Sequence, residues 1–465
     1  NMTDTHDFTS LPRLNRAEHG RAAAPVRIIH LGIGNFTRAH QAWYTEHAPD
    51  TAQWGIAGFT GRSRRMVDKL APQDNVYTLI TSAPEGDSFE VISSISSMHE
   101  GGDMAALHKY FADPNVSIVT STVTEAGYKR NAHGDLDVND TDVSEDLAKL
   151  RNDVNVSELA TVPARIVAGL EARRAANAGA ITILPCDNLA GNGAAFRRVV
   201  EQAIEAVDPT LLEWTRDNVA WATSMVDRIT PATTDAELQT VAQDKGWYDV
   251  APVRTEPFLE WVIRGDFPKG RPAWDKAGAV ITDDVEPYEQ RKLWMLNGSH
   301  STLAYVGPLF GHESVAEAIA DPQLRAWVNE WWDLAGSYLS VSSDDYRAKL
   351  LERFSNPRIH HHLFQIATDG SQKLPVRIVP VAKHALADGR DITAPARAVA
   401  AWIVFLRRFG NTEAKDVNLD EVRKLAVNDD VTPAVSYLDK DLGANATFTN
   451  KVSELVNELS SATAA

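Results

Sequence analysis

Residues 26–48 read VRIIHLGIGNFTRAHQAWYTEHA. The β-branched apolar run 26–32 ends in glycine and predicts a strand, and the helix-like apolar spacing of 36–48 predicts a helix after a short turn. Gly32 and Gly34 occupy that turn. Glycines there permit a tight bend and let a pyrophosphate approach the backbone at the start of the helix, as a dinucleotide site requires. Gly32, Ile33, Gly34, Asn35 and Phe36 are therefore the candidate cofactor-binding turn, although Thr37 stands where the third glycine of G-x-G-x-x-G would be.

Outward from this turn, the chain keeps alternating between short apolar runs and helical stretches. WGIAGFTG (54–61) is a second strand, VYTLIT (76–81) and FEVISSISS (89–97) a hairpin, VSIVTSTVT (116–124) a further strand, and ITILPCDN another after the Ala-rich helical stretch 164–179. NVAWATSMVDRITP (218–231) reads as a sixth strand ending at Asp227. This alternation predicts an α/β fold with a mostly parallel, doubly wound, Rossmann-type sheet. From about residue 288 the pattern becomes long amphipathic helices, predicting a mostly α-helical C-terminal domain. The expected division is 1–285 and 286–465, with the Pro-, Gly- and Trp-rich stretch 247–287 as an irregular connector packed between domains.

In dinucleotide folds an acid after the second strand binds the adenosine ribose and selects NAD. Here GFTGRSRR supplies Arg62, Arg64 and Arg65 and no acid. These arginines suit the 2′-phosphate of NADP, a stack on adenine, or merely a solvated turn, so NAD and NADP both stay open.

Lys and Arg total 46 against 63 Asp and Glu, a net charge of −17, which disfavours polyanionic partners such as nucleic acid or anionic membrane. Hydrophobic residues at 44% and charged residues at 23% fit a globular chain of 465 residues with a large core. The single cysteine, Cys186, excludes an intramolecular disulfide and is expected to be a small buried thiol. The polar first twenty residues lack the order of a signal peptide, and no apolar run approaches the ~20 residues of a membrane span. A cytoplasmic monomer or small homo-oligomer is expected.

The stretch RKLWMLNGSH (291–300) sets Lys292, Asn297 and His300 among residues that chains normally bury. On one α-helix, at about 100° per residue, Asn297 lies about 140° and His300 about 80° around from Lys292, so the three share a broad face. Hydride removal from an alcohol carbon needs such a set. A lysine with a lowered pKa takes the hydroxyl proton, an amide donates to the developing oxyanion, and an imidazole orients the same oxygen. Tyr288 and Lys292 also form Y-x-x-x-K, the spacing of a tyrosine acid and its lysine in short-chain dehydrogenases, but the pair comes late in the chain.

LGIGNFTRAHQAWYT together with Lys292-x4-Asn297-x2-His300 resembles the polyol-specific long-chain dehydrogenases of the mannitol dehydrogenase type. The resemblance implies a metal-free enzyme with a Rossmann-type N-terminal domain and a helical C-terminal domain enclosing the active site. It implies Lys292 as general acid/base, Asn297 with Asn188 of PCDN as the oxyanion-binding pair, and His300 orienting the substrate hydroxyl. Asp227 would contact the polyol or support the lysine, and the loop DGSQKLP would bind substrate through Lys373, where the mannitol enzymes carry arginine. The implied reaction oxidises a sugar alcohol to a ketose with NAD, or possible NADP, D-mannitol to D-fructose being the leading pair. Arabinitol dehydrogenation or reduction of fructuronate or tagaturonate are alternatives, the sugar acid being met by Lys373 or Arg377. A dinucleotide-binding sensor whose helical domain contacts a partner protein is the non-enzymatic one. His360, His361 and His362 are expected to begin a helix, where consecutive histidines diverge and make poor joint ligands.

Overall fold

β1, Val26–Leu31, runs through the middle of a six-stranded sheet. The computed structural model describes residues 8–153 and 155–464, and among these twelve strands lie between residues 26 and 281. After β1 come β2 (Gly55–Phe59), β3 (Tyr77–Ala83), β4 (Gly86–Ile92), β5 (Ile95–His99) and β6 (Ile118–Ser121). They are followed by β7 (Ile181–Pro185), β8 (Val219–Trp221), β9 (Thr223–Asp227), β10 (Val253–Thr255), β11 (Glu260–Arg264) and β12 (Val280–Ile281). The central sheet has the order β5-β2-β1-β6-β7-β8 with every pairing parallel. This is the strand order of dinucleotide-binding folds, whose direction of winding reverses between β1 and β6. Side chains alternate between two cores: Ile28 and Ile118 join one, Ile29 and Val119 the other. Burial on both faces explains why these strands read as unbroken apolar runs.

The chain divides into two compact units, Asn1–Glu286 and Pro287–Ala465. Within the first, four sequence expectations need correction. The helix expected over 36–48 is two, Asn35–Ala39 and Gln41–His47, broken at His40 (φ −122°, ψ −86°), whose Nε2 lies 2.8 Å from the Glu260 carbonyl. The run 89–97 belongs to two strands: β4 completes the hairpin with β3, the chain turns at Ser93 and Ser94, and β5 joins the central sheet beside β2. The sixth strand is likewise two, because at Ala222 the chain leaves the central sheet for a second one, pressed closely by Gly193 and Gly265.

The stretch 247–287 is no irregular connector. β10 pairs with β3, β11 pairs antiparallel with β9, and β12 pairs with β11, so these residues build two small sheets of the first unit. Trp261 and Trp274 sit fully buried in its core. The prolines and glycines that suggested a loop separate strands only two to five residues long.

The second unit is helical. Gly298–Leu309 is buried along its entire length and packs on Thr393–Phe409, itself buried from Ala394 to Leu406. A helix buried on every side carries no one-sided apolar stripe, which accounts for the weak amphipathic signal of 298–309. Among the described residues no helix is long and apolar enough to cross a membrane.

Candidate active site

The glycine turn lies at the C-terminal end of β1, where the winding of the sheet reverses. Gly32 has φ +88°, and a Cβ there would lie 2.3 Å from the Thr122 carbonyl oxygen, so this position requires glycine. The N–H groups of Gly32 and Ile33 both donate to the Phe59 carbonyl at 2.9 Å, tying the turn to the end of β2. Gly34 differs: its backbone is extended and a Cβ would meet no protein atom within 4 Å. Protein packing therefore does not demand a glycine at 34, whereas close approach of a pyrophosphate would. Ser121, paired with Leu31 across the winding reversal, carries a buried hydroxyl oxygen without a protein partner. The strand order, the open Gly34 and this hydroxyl all fit a dinucleotide.

Thr37 replaces the third glycine for a local reason. Its Oγ1 lies 2.9 Å from both His30 Nε2 and Thr122 Oγ1, and His30 Nδ1 lies 2.7 Å from Thr120 Oγ1. Burial pushes the His30 imidazole down to about 3, so a neutral ring joins β1, β6 and the helix Asn35–Ala39. Asn35 is held from the other side, its Nδ2 donating to Pro231 O and Thr233 Oγ1 and its Oδ1 accepting from Arg38. Phe36 stacks on His40 with ring centroids 4.9 Å apart. Arg62 is exposed past the end of β2, and Arg64 is ion-paired with Asp68 and Glu100.

Asn188 is exposed just past β7. Behind it, the buried carboxyl of Asp187 accepts from the Val123 N–H and the Tyr128 hydroxyl; burial pushes it up to about 7 against the pull of those bonds. Asn192, not singled out from sequence, clamps this loop: its Nδ2 donates to the carbonyls of Asp187 (3.1 Å) and Ser224 (2.9 Å), and its Oδ1 accepts from Ser224 N and Thr223 Oγ1. Ser224 is the second residue of β9, whose last residue, Asp227, is only 7% exposed. The neighbouring Arg228 is buried too and donates to the carbonyls of Ala39 and Glu256. Cys186 is a buried thiol, as expected.

In the second unit, Lys292, Asn297 and His300 lie on continuous helical chain, but it is not one α-helix. Glu286–Arg291 is α-helical, Lys292–Asn297 is a π-helical turn, and Gly298–Leu309 is α-helical again. The Gly298 N–H donates to Leu293 O, five residues back. A π-helical turn rotates less per residue than an α-helix, so Lys292 and Asn297 lie closer to one face than the about 140° that an α-helix would set between them. The three residues thus stay on one stretch of helical chain, with the α-helical angle between Lys292 and Asn297 corrected.

His300 is 9% exposed, stacked on Phe354 (4.7 Å, 22°) with His361 edge-on at 5.1 Å. Burial, with His361, Arg353, Arg377 and Lys373 adding to it, holds its pKa well below the usual value, leaving a neutral ring. His361 is a site neighbour that sequence reasoning missed. The three histidines do not begin a helix; His361 O accepts from the Val315 N–H, the extended His362 bridges Ser314, and the helix starts only at Leu363, whose N–H donates to Glu313 O.

DGSQKLP is a helix rather than a loop, Gly370–Arg377, entered through Asp369 in a left-handed conformation (φ +62°). Ser371 fastens its start to Asp416. Gly370 is needed because a Cβ would lie 2.4 Å from the Tyr305 hydroxyl. Lys373 Nζ donates to Ile366 O at 3.0 Å, and Arg377, one turn on, donates to Ser301 Oγ at 3.1 Å and Asn297 O at 3.5 Å. Burial, then neighbouring Arg377, lowers the Lys373 pKa. This unit therefore gathers Lys292, Asn297, His300 and Arg377, with Lys373 one helical turn from Arg377.

Comparison with known proteins places the whole chain in one family. Residues 26–276 match the mannitol dehydrogenase Rossmann domain and residues 284–460 the mannitol dehydrogenase C-terminal domain. A D-mannonate oxidoreductase of Escherichia coli (strain K12) is 38% identical over 83% of this chain and 80% of its own length. Among solved structures, a D-sorbitol dehydrogenase in substrate-free form is 30% identical with a TM-score of 0.87, covering 96% of both chains. A Pseudomonas fluorescens mannitol 2-dehydrogenase in ternary complex with NAD and D-mannitol is 32% identical with a TM-score of 0.76, covering 97% of this chain and 96% of the other. With both halves of its sequence matched in order and the dinucleotide fold and lysine-bearing helix in place, this oxidoreductase chain belongs to the mannitol dehydrogenase family.

Proposed function

We propose that the chain reversibly oxidises a secondary alcohol of a sugar alcohol to the ketose, D-mannitol to D-fructose being the leading pair. The observation that carries this reading is the π-helical turn, which puts Lys292 and Asn297 on one face with the neutral His300 following. Lys292 Nζ takes the hydroxyl proton as the carbonyl forms. Asn297 and Asn188 donate amide N–H bonds to the developing oxyanion, His300 orients the same oxygen, and Asp227 contacts the polyol. NAD, bound at the turn Gly32–Phe36, supplies the hydride acceptor. That assignment leans on the NAD complex of the mannitol enzyme and on the open Gly34. With no acid after β2 and Arg62 exposed there, NADP is the second cofactor to assay.

One observation favours a second reading, in which the substrate is a sugar acid such as fructuronate. Lys373 and Arg377 stand four apart on one helix beside Asn297, and a D-mannonate oxidoreductase is among the similar relatives. Two neighbouring cations suit a carboxylate.

The test is the rate of reduced-cofactor formation or consumption with mannitol, arabinitol, sorbitol, fructose, mannonate and fructuronate, each with both nicotinamide cofactors, for the native chain and Lys292→Ala. The variant is expected to lose about 10²- to 10⁴-fold in turnover while still quenching on cofactor binding. Near-native oxidation by Lys292→Ala would refute the mechanism, and no turnover of any substrate by the native chain would favour the sensor reading.

A further inference from the structure

A π-helical turn leaves backbone carbonyls out of the α-helical register, and such turns are rare because that loss must be made good. In this chain three successive carbonyls of the turn receive side-chain donors. The indole N–H of Trp331 donates to Trp294 O at 2.8 Å, that of Trp332 donates to Met295 O at 3.0 Å, and the Ser299 hydroxyl lies 2.5 Å from Met295 O and 3.0 Å from Leu296 O. Both tryptophans lie on the helix Pro322–Gly336 and are 1% exposed, so each indole N–H depends on its carbonyl as much as the carbonyl depends on it.

Gly298 belongs to the same construction. A Cβ at 298 would stand 2.9 Å from Nε1 and Cζ2 of Trp331, so only glycine lets the indole reach the helix at this level. Trp332 extends the contact towards the imidazole, its ring lying 5.9 Å from Phe354, on which His300 stacks. The adjacent pair of tryptophans thus touches both the turn that aligns Lys292 with Asn297 and the seat of His300.

We propose that Trp331 and Trp332 are positioning residues of the reaction, their indole N–H groups holding the π-helical turn Lys292–Asn297 in the register that turns the lysine and the amide to the same oxygen. The inference rests on the role given above to Lys292 and Asn297. It assigns the tryptophans no contact with substrate; they act through the carbonyls of residues 294 and 295.

The test uses Trp331→Phe, Trp332→Phe and the double variant, which keep an aromatic ring and remove the donor, with Ser299→Ala as a smaller lesion that still deprives the Met295 and Leu296 carbonyls. Turnover of the best polyol or sugar acid is measured across pH 5–10, with cofactor affinity by fluorescence and folding by circular dichroism. The expected result for folded variants is a fall in kcat of tenfold or more. The pH limb that Lys292→Ala abolishes should shift, while cofactor affinity stays within twofold. A merely structural role would lower the melting temperature and the active fraction but leave the shape of the pH profile unchanged, and that outcome overturns the proposal. If the tryptophan variants do not fold, a native pH profile in Ser299→Ala overturns it instead. Should Lys292→Ala itself retain turnover, the catalytic reading has failed; if it is inactive and the indole variants are native in profile, only the positioning inference has.

Discussion

Arg377 donates to Ser301 Oγ at 3.1 Å and reaches the Asn297 carbonyl at 3.5 Å, so a single guanidinium spans a turn of the helix that bears the proposed oxyanion donor. Arg377→Met is expected to reduce kcat/KM for every substrate by about ten- to hundredfold, the equivalent of about 1.5–3 kcal/mol for bonds from a charged donor. Arg377→Lys should restore little, because both bonds come from Nη1 at the tip of the arginine, which the lysine side chain, one bond shorter, does not reach. Recovery by lysine to within twofold in a steady-state assay would show that charge alone matters there.

Lys373 separates the two substrate readings. Its contact to the protein is one carbonyl, Ile366 O. If the substrate carries a carboxylate, Lys373→Met should raise its KM by about tenfold or more, since a charge-assisted bond is roughly twice as strong as a neutral one. The same variant should change the KM for mannitol by less than about threefold. Equal effects on mannitol and fructuronate would remove Lys373 from the carboxylate's recognition.

Gly32 and Gly34 should respond differently to the same substitution. Gly32→Ala forces a side chain into φ +88° and into the Thr122 carbonyl, and it is expected to lower stability by more than about 1 kcal/mol. Gly34→Ala fits the protein and should melt within about 2 °C of the native chain, a shift that for a large domain corresponds to under about 1 kcal/mol. Its cofactor Kd should nevertheless rise about tenfold or more. Paired thermal melts and cofactor titrations decide this, and an unchanged Kd in Gly34→Ala would mean that nothing closely approaches that backbone.

His30 makes the first unit acid-sensitive in a calculable direction. Its folded-state value is near 3 because of burial, whereas an unfolded histidine binds its proton near 6.5. Between these values the unfolded chain binds the extra proton, so the stability due to neutral His30 is present above pH 6.5 and is lost as pH falls towards 3. The loss approaches about 1.4 kcal/mol per pH unit. His30→Gln should flatten the decline of the urea midpoint between pH 6.5 and 4.5 relative to the native chain. Parallel declines would show that the ring is not the group responsible.

The first strand, the glycine turn and the parallel sheet were legible because β-branched runs buried on both faces leave a continuous apolar signal. The boundaries of 89–97 and 218–231 were not. The apolar character continues across Ser93 and Ala222, and only pairing with distant strands says that the chain changes sheets there. Composition misled at 247–287, where strands of two to five residues are too short to register periodicity between prolines. The types of the site residues were readable, since lysine, asparagine and histidine among Trp294, Met295 and Leu296 demand an explanation. Their angular relation was not: a fixed 100° per residue cannot anticipate a turn whose register depends on two tryptophans more than thirty positions away. His361 escaped notice for a similar reason, its proximity to His300 being a matter of tertiary folding.

The four hydrogen bonds of Asn192 bind residue 187 to residues 223 and 224. Asn188, one residue past this anchor, and Asp227, at the end of β9, are therefore tied to the same side chain, and neither segment can be reshaped alone. If the roles proposed for Asn188 and Asp227 hold, a variant library aimed at a new sugar would need to vary both segments together, with 192 left untouched.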